Sequence, residues 1–433
     1  MQQDLQTPVR WSFCKKLGFL FFCLFFPLYI FLNPNGVLPF SQEMFGYYIG
    51  PFHSLIPWIA KSILHLPQDI TVFTNGSGDT TYDYVAVLFI AVVALVGALI
   101  WVLLDRKRNS YSQLYYWLTV VVRYYAAFTM LTYGFVKVFK LQFPFPDPWR
   151  LLEPYGDSSP MGLAWTYMGY SQGYNYFTGG AEVLGGLLLL FRRTTTLGAM
   201  VTFAVMGHVM AMNYSFDIPV KLLSTMMVVM ALFLMAKDMR RLYYFFFANK
   251  TAPPSDITPP VIRKKALRIS LIVLKVLIVG YGVGTMAYES ASSLDLYGDK
   301  APKTPLWGIY NVESFVRNND TIAPLQTDST RWKQVIVGGY RGYPRVHVKG
   351  MNDSLRSYVF KPDTLTNTII MYPRADSSFK NQLEYNFPDK EHLVMTGSWK
   401  GDSINVRMKI YDLNKFLLVN RGFRWVNEYP FNR

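Results

Sequence analysis

The chain has 433 residues, more than one ordinary domain, and is 51% hydrophobic and 17% aromatic with only 16% charged residues. Its two cysteines, Cys14 and Cys23, exclude a disulfide framework, a CxxC redox pair and a CxxCH haem attachment. The formal charge of +15 does not describe a nucleic-acid reader: Lys and Arg outnumber Asp and Glu by 23 to 14 before Ser290 and by 20 to 14 from there on, clustered at the ends of apolar runs in the first part and dispersed in the second.

A helix crossing a bilayer core needs about 20 mainly apolar residues. Seven stretches qualify, near 12–32, 83–104, 114–139, 174–191, 194–213, 218–236 and 265–286. The first has a short apolar core from Leu17 to Leu32, interrupted by Pro27 and preceded by Arg10, Lys15 and Lys16. Its bulky aromatic end lacks a small-x-small cleavage pattern, so a retained anchor is favoured over a signal peptide. The loop over 33–82 contains an expected interfacial helix at 52–66 and the string NGSGDTTYD at 75–83. The loop over 140–173 is rich in Pro, Tyr and Trp, and 249–262, with Pro253, Pro254, Pro259 and Pro260, reads as an extended spacer.

The connections set the orientation. Basic residues crowd one side: Arg10, Lys15 and Lys16; Arg106, Lys107 and Arg108; Arg192 and Arg193; and eight more between Lys237 and Arg268. The opposite loops hold Lys61, Lys140 and Arg150, so the asymmetry is sixteen to three. By the positive-inside rule the N-terminus is cytoplasmic and, after seven crossings, the C-terminus lies outside.

From Ser290 the pattern becomes alternating. Over 403–411, Ile404, Val406, Met408 and Ile410 alternate with Ser403, Asn405, Arg407 and Lys409, which predicts a half-buried strand. Similar runs lie near 332–337, 345–350, 355–361, 367–372, 382–387, 392–399 and 415–419, separated by turn signals. About eight short strands predict an antiparallel meander, either a small closed barrel or a sandwich. The string LWGIY at 306–310 resembles the opening of lipocalin-like barrels, which hold apolar ligands, although a Trp there also serves as a plug of the barrel bottom. His347 and His392 are isolated, and the aromatic end at 421–433 is expected to form a final strand, with docking against the membrane part as the other reading.

Ionisable groups inside a span are functional candidates by default, because each costs about 2.5–3.5 kcal/mol at the bilayer centre on insertion scales. Here they are Arg123 and Lys137 in the third span, Glu182 in the fourth, His208 in the fifth, Lys221 in the sixth and Lys275 in the seventh. Arg123 and Lys137 share a face with Met130 and Gly134, and Asn175, Gly179, Glu182 and Gly186 share another, whose small residues allow close approach of a neighbouring helix. Glu182 paired with Lys137 or Arg123 is the expected core of a polar cluster. His208, Asn213, Asp217 and Lys221 fall near the outer ends of their helices, while Lys221 and Lys275 read more simply as snorkelling. His208 is the only histidine in a span, which rules out a bis-His haem within one chain, and no metal site is expected.

The segment 133–247 resembles the DoxX-like membrane family, related to the DoxD subunit of thiosulfate:quinone oxidoreductase. The matching strings are YGFVK at 133–137, GDSSPMGLAWTYMGYS at 156–171, TGGAEVLGGLLLLFRRTTTLGA at 178–199 and DIPVKL at 217–222. The resemblance implies a four-helix core in a bacterial cytoplasmic (inner) membrane. The expected architecture is a polytopic helical membrane protein with a C-terminal antiparallel β-barrel or sandwich. It runs as anchor spans and outer loop (1–113), DoxX-like core (114–248), linker and final span (249–289) and exported, periplasmic or extracellular, β-domain (290–433). The implied role is redox-related. Glu182, Lys137, Arg123 and His208 would act on a quinone or similar lipid-soluble molecule, with Asn175, Asp217 and Lys221 helping to bind it. Membrane lipids and a redox or envelope protein are the expected partners, and nucleic acid is not. The alternative is a non-enzymatic envelope protein that hands over a lipid or serves as an assembly and docking partner. The orientation is directly testable: a reporter fused after Arg433 should be active only as an exported protein, and activity in the cytoplasm would overturn the seven-span reading.

Overall fold

A computed structural model describes residues 11–37, 41–72, 78–252 and 264–432. Arg10, Asn75, Arg263 and the four prolines of the spacer lie outside the described residues. The chain forms two compact units, residues 1–138 with 173–290, and residues 139–172 with 291–433.

The helices in chain order are α1 (Phe13–Leu32), α2 (Ser41–Tyr48), α3 (Gly50–Ser62), α4 (Thr81–Leu104), α5 (Ser112–Val138), α6 (Pro148–Leu151), α7 (Pro160–Tyr170), α8 (Gln172–Leu190), α9 (Thr195–Ser215), α10 (Lys221–Ala236), α11 (Met239–Phe246), α12 (Lys265–Ser292) and α13 (Leu417–Asn420). All seven apolar stretches are therefore helical, as α1, α4, α5, α8, α9, α10 and α12. Among the described residues four stretches are long and apolar enough to cross a membrane: Phe13–Leu32, Thr81–Leu104, Arg192–Ser215 and Lys265–Asp295. A fifth qualifies if α10 and α11, bent by 80° at their junction, count as one span. Tyrosines and the groups Arg123, Lys137, Asn175 and Glu182 dilute the apolar character of α5 and α8.

Local chemistry explains where these helices begin. Thr80 and Asp83 form a capping box at α4: Asp83 Oδ2 accepts from the Thr80 N–H at 2.8 Å, and Thr80 Oγ1 accepts from the Asp83 N–H at 3.4 Å. The Ser12 hydroxyl caps α1 by accepting from the Lys15 N–H. Within the helical unit α1 packs along α4 and touches α5, α3 lies on α4, and α9 packs along α10, which also meets α5. Tyr125, buried on α5, donates its hydroxyl to the Asn33 carbonyl at 2.9 Å, tying α5 to the end of α1.

The second unit is built on nine antiparallel strands: β1 (Gly308–Arg317), β2 (Asp320–Thr321), β3 (Trp332–Tyr340), β4 (Tyr343–Gly350), β5 (Leu355–Asp363), β6 (Thr368–Pro373), β7 (Asn381–Asn386), β8 (His392–Trp399) and β9 (Asp402–Ile410). Short β2 only extends β1; the other eight form a meander that closes because β1 pairs with β9 from Tyr310↔Ile410 to Arg317↔Ile404. The architecture is thus a closed barrel rather than a sandwich. Eight strands leave an interior just wide enough for side chains, and here Phe315, Trp332, Val335, Phe360, Met371, Leu383, Met395, Val406 and Met408 fill it. The strand over 403–411 is β9, with Ile404, Val406 and Met408 inward.

Two expectations about this unit are corrected. Residues 415–419 are not a strand: a short turn at Leu413–Lys415, capped by the Asp412 carboxylate accepting from the Asn414 N–H at 3.0 Å, leads into α13. Gly308–Arg317 supplies the missing eighth strand instead. Nor do residues 421–432 form a final strand, because β1–β9 pairing leaves no open edge in the barrel to receive one.

Segment 139–172, which the pattern of apolar runs groups with the helices, sits in the barrel's unit. Asp147 holds it there: Oδ1 accepts from Trp307 Nε1 at 3.2 Å and Oδ2 from the Gly339 N–H at 2.9 Å. Trp307 is half-buried and serves this contact rather than plugging the barrel. Gly338 makes room for this carboxylate, which a Cβ there would displace. Lys140 pairs with Asp299, whose other oxygen accepts from the Phe145 N–H at 2.6 Å. Trp149 lies 5.8 Å from the His347 ring, and burial holds the His347 pKa below its ordinary value. Because the barrel closes on itself, residues 306–433 expressed alone should unfold cooperatively as a β protein. Asp147→Ala in the full chain should strand the buried Gly339 N–H and the half-buried Trp307 Nε1 and lower barrel stability by about 1–3 kcal/mol. Circular dichroism of both proteins checks this, and a disordered fragment would refute independent folding.

Candidate functional site

The helical unit brings two charged groups into its interior at the α5–α8 crossing. Lys137 Nζ donates to Glu182 Oε1 at 2.6 Å, with the two residues only 5% and 2% exposed. Glycines make this approach possible. A Cβ on Gly134 would lie 2.7 Å from Val183 Cγ2 and 2.9 Å from the Val183 nitrogen. One on Gly179 would lie 2.8 Å from the Gly134 carbonyl oxygen, and one on Gly186 2.8 Å from that of Ala127. Backbone therefore rests on backbone over two turns, as small residues on facing helices permit. Gly198 of α9 fits against Leu188 and Leu189 in the same manner, and Gly185 of α8 faces Thr202 of α9.

The pair is chemically incomplete. Glu182 Oε2 is buried and has no hydrogen-bond partner among the described residues. Lys137 carries three N–H donors, and its hydrogen bond to Glu182 uses one. The Tyr133 ring lies 5.9 Å from the ammonium. An open acceptor and open donors thus stand side by side in an apolar interior, where an unmet polar group calls for an explanation.

Of the remaining candidates, Asn175 is fully buried one face-repeat before Glu182 on α8. Arg123 is not part of the pair. It is fourteen residues from Lys137 along α5, about 21 Å at 1.5 Å per residue, and Nη1 donates to Thr195 Oγ1 at 3.2 Å at the start of α9. Its guanidinium lies over the Tyr124 ring. His208 stands exposed on α9.

Asp217 and Lys221 belong to the α9–α10 turn. Lys221 Nζ donates to Asp217 Oδ1 at 3.0 Å, but Asp217 is largely exposed, so the pair adds little stability. Asn213, buried nearby, donates to Ser224 Oγ and to the Val220 carbonyl. The residue that organises this turn was not singled out in the sequence. Asp79 accepts from the backbone N–H of Lys221 at 2.5 Å and of Leu222 at 2.8 Å, so a residue just before α4 caps α10. Only its place in the polar string before α4 hinted at it. Among the described residues no group of three His, Cys, Asp or Glu side chains is placed to hold a metal ion.

The molecule thus joins a helical unit bearing a buried Lys–Glu pair to a closed eight-stranded barrel. No family model matches the chain, and no solved structure matches it. It is 38% identical over 119 residues to a protein of Bacillus subtilis (strain 168) described as "Uncharacterized protein YwoB", a stretch that makes up 28% of this chain and 75% of that protein. The chain belongs to the family of YwoB.

Truncation tests how much the ion pair holds. Glu182→Ala should leave the Lys137 cation buried without a partner and destabilise the helical unit by about 3–5 kcal/mol. The double variant Lys137→Met/Glu182→Leu, apolar and of similar volume, should recover most of that loss in thermal unfolding of the detergent-solubilised protein.

Proposed function

We propose that the protein is a bacterial integral membrane protein of DoxX-like type that binds a quinone or a similar lipid-soluble molecule at the Lys137–Glu182 pair. Glu182 Oε2, buried and open, carries this reading. A quinol hydroxyl is a donor for that oxygen, and a quinone carbonyl is an acceptor for the remaining Lys137 donors, so the pair suits both forms of one ligand head. The membrane setting is supported by α4 and α12, whose Leu88, Val92, Leu99 and Leu103, and Ile272, Val273, Val276 and Leu277, face outward uncovered. In this reading the helices cross seven times, the N-terminus is cytoplasmic, and the barrel unit is exported.

A non-enzymatic envelope role is the second reading. It draws on the exposed aromatic end, where Phe423, Trp425 and Tyr429 are each more than three-quarters exposed and suit contact with another protein or lipid.

Lipid extraction of the purified protein, read by mass spectrometry, separates the two. Quinone should copurify with the native chain and be lost from the folded Lys137→Met/Glu182→Leu variant, which should also fail to complement a deletion strain. Quinone retained by that variant would overturn the site, and phospholipid alone in the native protein would favour the envelope role.

A further inference from the structure

One amphipathic helix of the helical unit leaves its apolar stripe exposed. In α11 (Met239–Phe246) Met239, Leu242, Tyr243 and Phe246 recur at i, i+3, i+4 and i+7 and share one side, which Phe247 extends. Arg240, Arg241 and Tyr244 fall on the other side, where the Tyr244 hydroxyl accepts from Arg240 Nε at 3.0 Å and Nη2 at 2.8 Å. On a soluble protein such a stripe packs on the core. Here no residue of the helix is buried, and Met239, Tyr243, Phe246 and Phe247 are each at least half exposed.

The direction of α11 is built into the fold. It turns from α10 by 80°, and buried Asp238 pins the turn. Its Oδ1 accepts from Arg241 Nη1 at 2.9 Å, and its Oδ2 accepts from the Thr196 hydroxyl at 2.5 Å, at the start of α9. At the far end Asn249 takes a φ of +47° and the Lys250 N–H donates to the Tyr244 carbonyl at 3.0 Å, which stops the helix. Since α10 packs along α9 and meets α5, α11 lies nearly in the plane of any bilayer that α10 crosses.

Charge gives the second half of the pattern. Lys237, Arg240, Arg241 and Lys250 sit on or beside α11 with Asp238 as the one acid among them, and Arg241 already engages it. Arg240 and Lys250 are exposed. These residues belong to the basic side of the chain's charge asymmetry, together with Arg192 and Arg193. An in-plane helix with aromatic and aliphatic side chains on one side and Arg on the other suits the boundary between headgroups and acyl chains. Cations at that level attract anionic lipids.

We propose that α11 is a lipid-docking helix that lies in the headgroup layer of the cytoplasmic leaflet, with Met239, Tyr243, Phe246 and Phe247 at the acyl boundary and Arg240 and Lys250 drawing the phosphates of anionic phospholipids to its polar side. The α10–α11 pair is then the end of a span followed by an interfacial helix, and not a single bent span. This role depends on the membrane reading and is independent of the quinone site, since it uses neither Lys137 nor Glu182.

Fluorescence quenching of the full chain in vesicles of phosphatidylcholine and phosphatidylglycerol tests the assignment. In a chain carrying Cys14→Ala and Cys23→Ala, a bimane label is attached at Phe246→Cys or at Leu95→Cys, on the outward side of α4. Lipids brominated near the headgroup should quench the label at 246 best, and lipids brominated near the chain end should quench the label at 95 best. At 246 brominated phosphatidylglycerol should be preferred over brominated phosphatidylcholine by roughly fivefold, the share of one cation near an anionic surface. Arg240→Gln/Lys250→Gln should remove most of that preference. Should Phe246→Cys fail to fold, Phe247→Cys serves in its place. A label at 95 that no lipid quenches would overturn the membrane reading and this role with it. With the label at 95 quenched, three results would each overturn the docking helix alone: no quenching at 246, strongest quenching there by the deep bromines, or equal quenching there by the two headgroups.

Discussion

The helical unit depends on a close contact between two backbones. At the α5–α8 crossing Gly134 and Gly179 leave no room for a side chain, and the Lys137–Glu182 bond forms next to that contact. The order of cause matters. Without the bond, the desolvation of two buried ions would stand unopposed. The glycines bury the pair by closing the helices over it, and the 2.6 Å bond makes that burial tolerable. Any larger residue at 134 or 179 would lose both together.

The outer surface of the same unit obeys the opposite rule. Apolar side chains of α4 and α12 face outward uncovered, in numbers rare on soluble monomers. The second half of α12 packs inward: Gly282 rests against Phe128, and the Thr132 hydroxyl faces Met286. Polar groups inside and apolar groups outside is the distribution expected where hydrocarbon is the solvent.

Much of this arrangement was readable in the sequence because its two periods are distinct. The 3.6-residue period placed Gly134 with Lys137 and Gly179 with Glu182, the faces that meet. It did not decide between Lys137 and Arg123 as the partner, since both lie on one stripe of α5 and only the height of the crossing distinguishes them. The two-residue period located most barrel strands. It failed at 415–419, where Phe416, Leu417, Leu418 and Val419 carry strand-forming side chains but the closed barrel offers them no neighbour. It also passed over Gly308–Arg317, whose interior residues are interrupted by a bulge between Val312 and Ser314.

What the sequence lacked throughout was long-range pairing. Asp79 capping α10, Asp147 bridging Trp307 and Gly339, and Arg331 with two unmet donors are each single residues in undistinguished stretches, and their meaning appears only when distant segments meet. The last two contrast within one unit. Asp147 has a donor on each oxygen, so a half-buried carboxylate becomes a fastening. Arg331 has two buried donors without a partner among the described residues, and a buried polar group left unmet costs about 1–3 kcal/mol. A fold with a filled lumen and a closed edge has the stability to carry that cost. The same holds for Glu182, whose second oxygen is open although its first is bound.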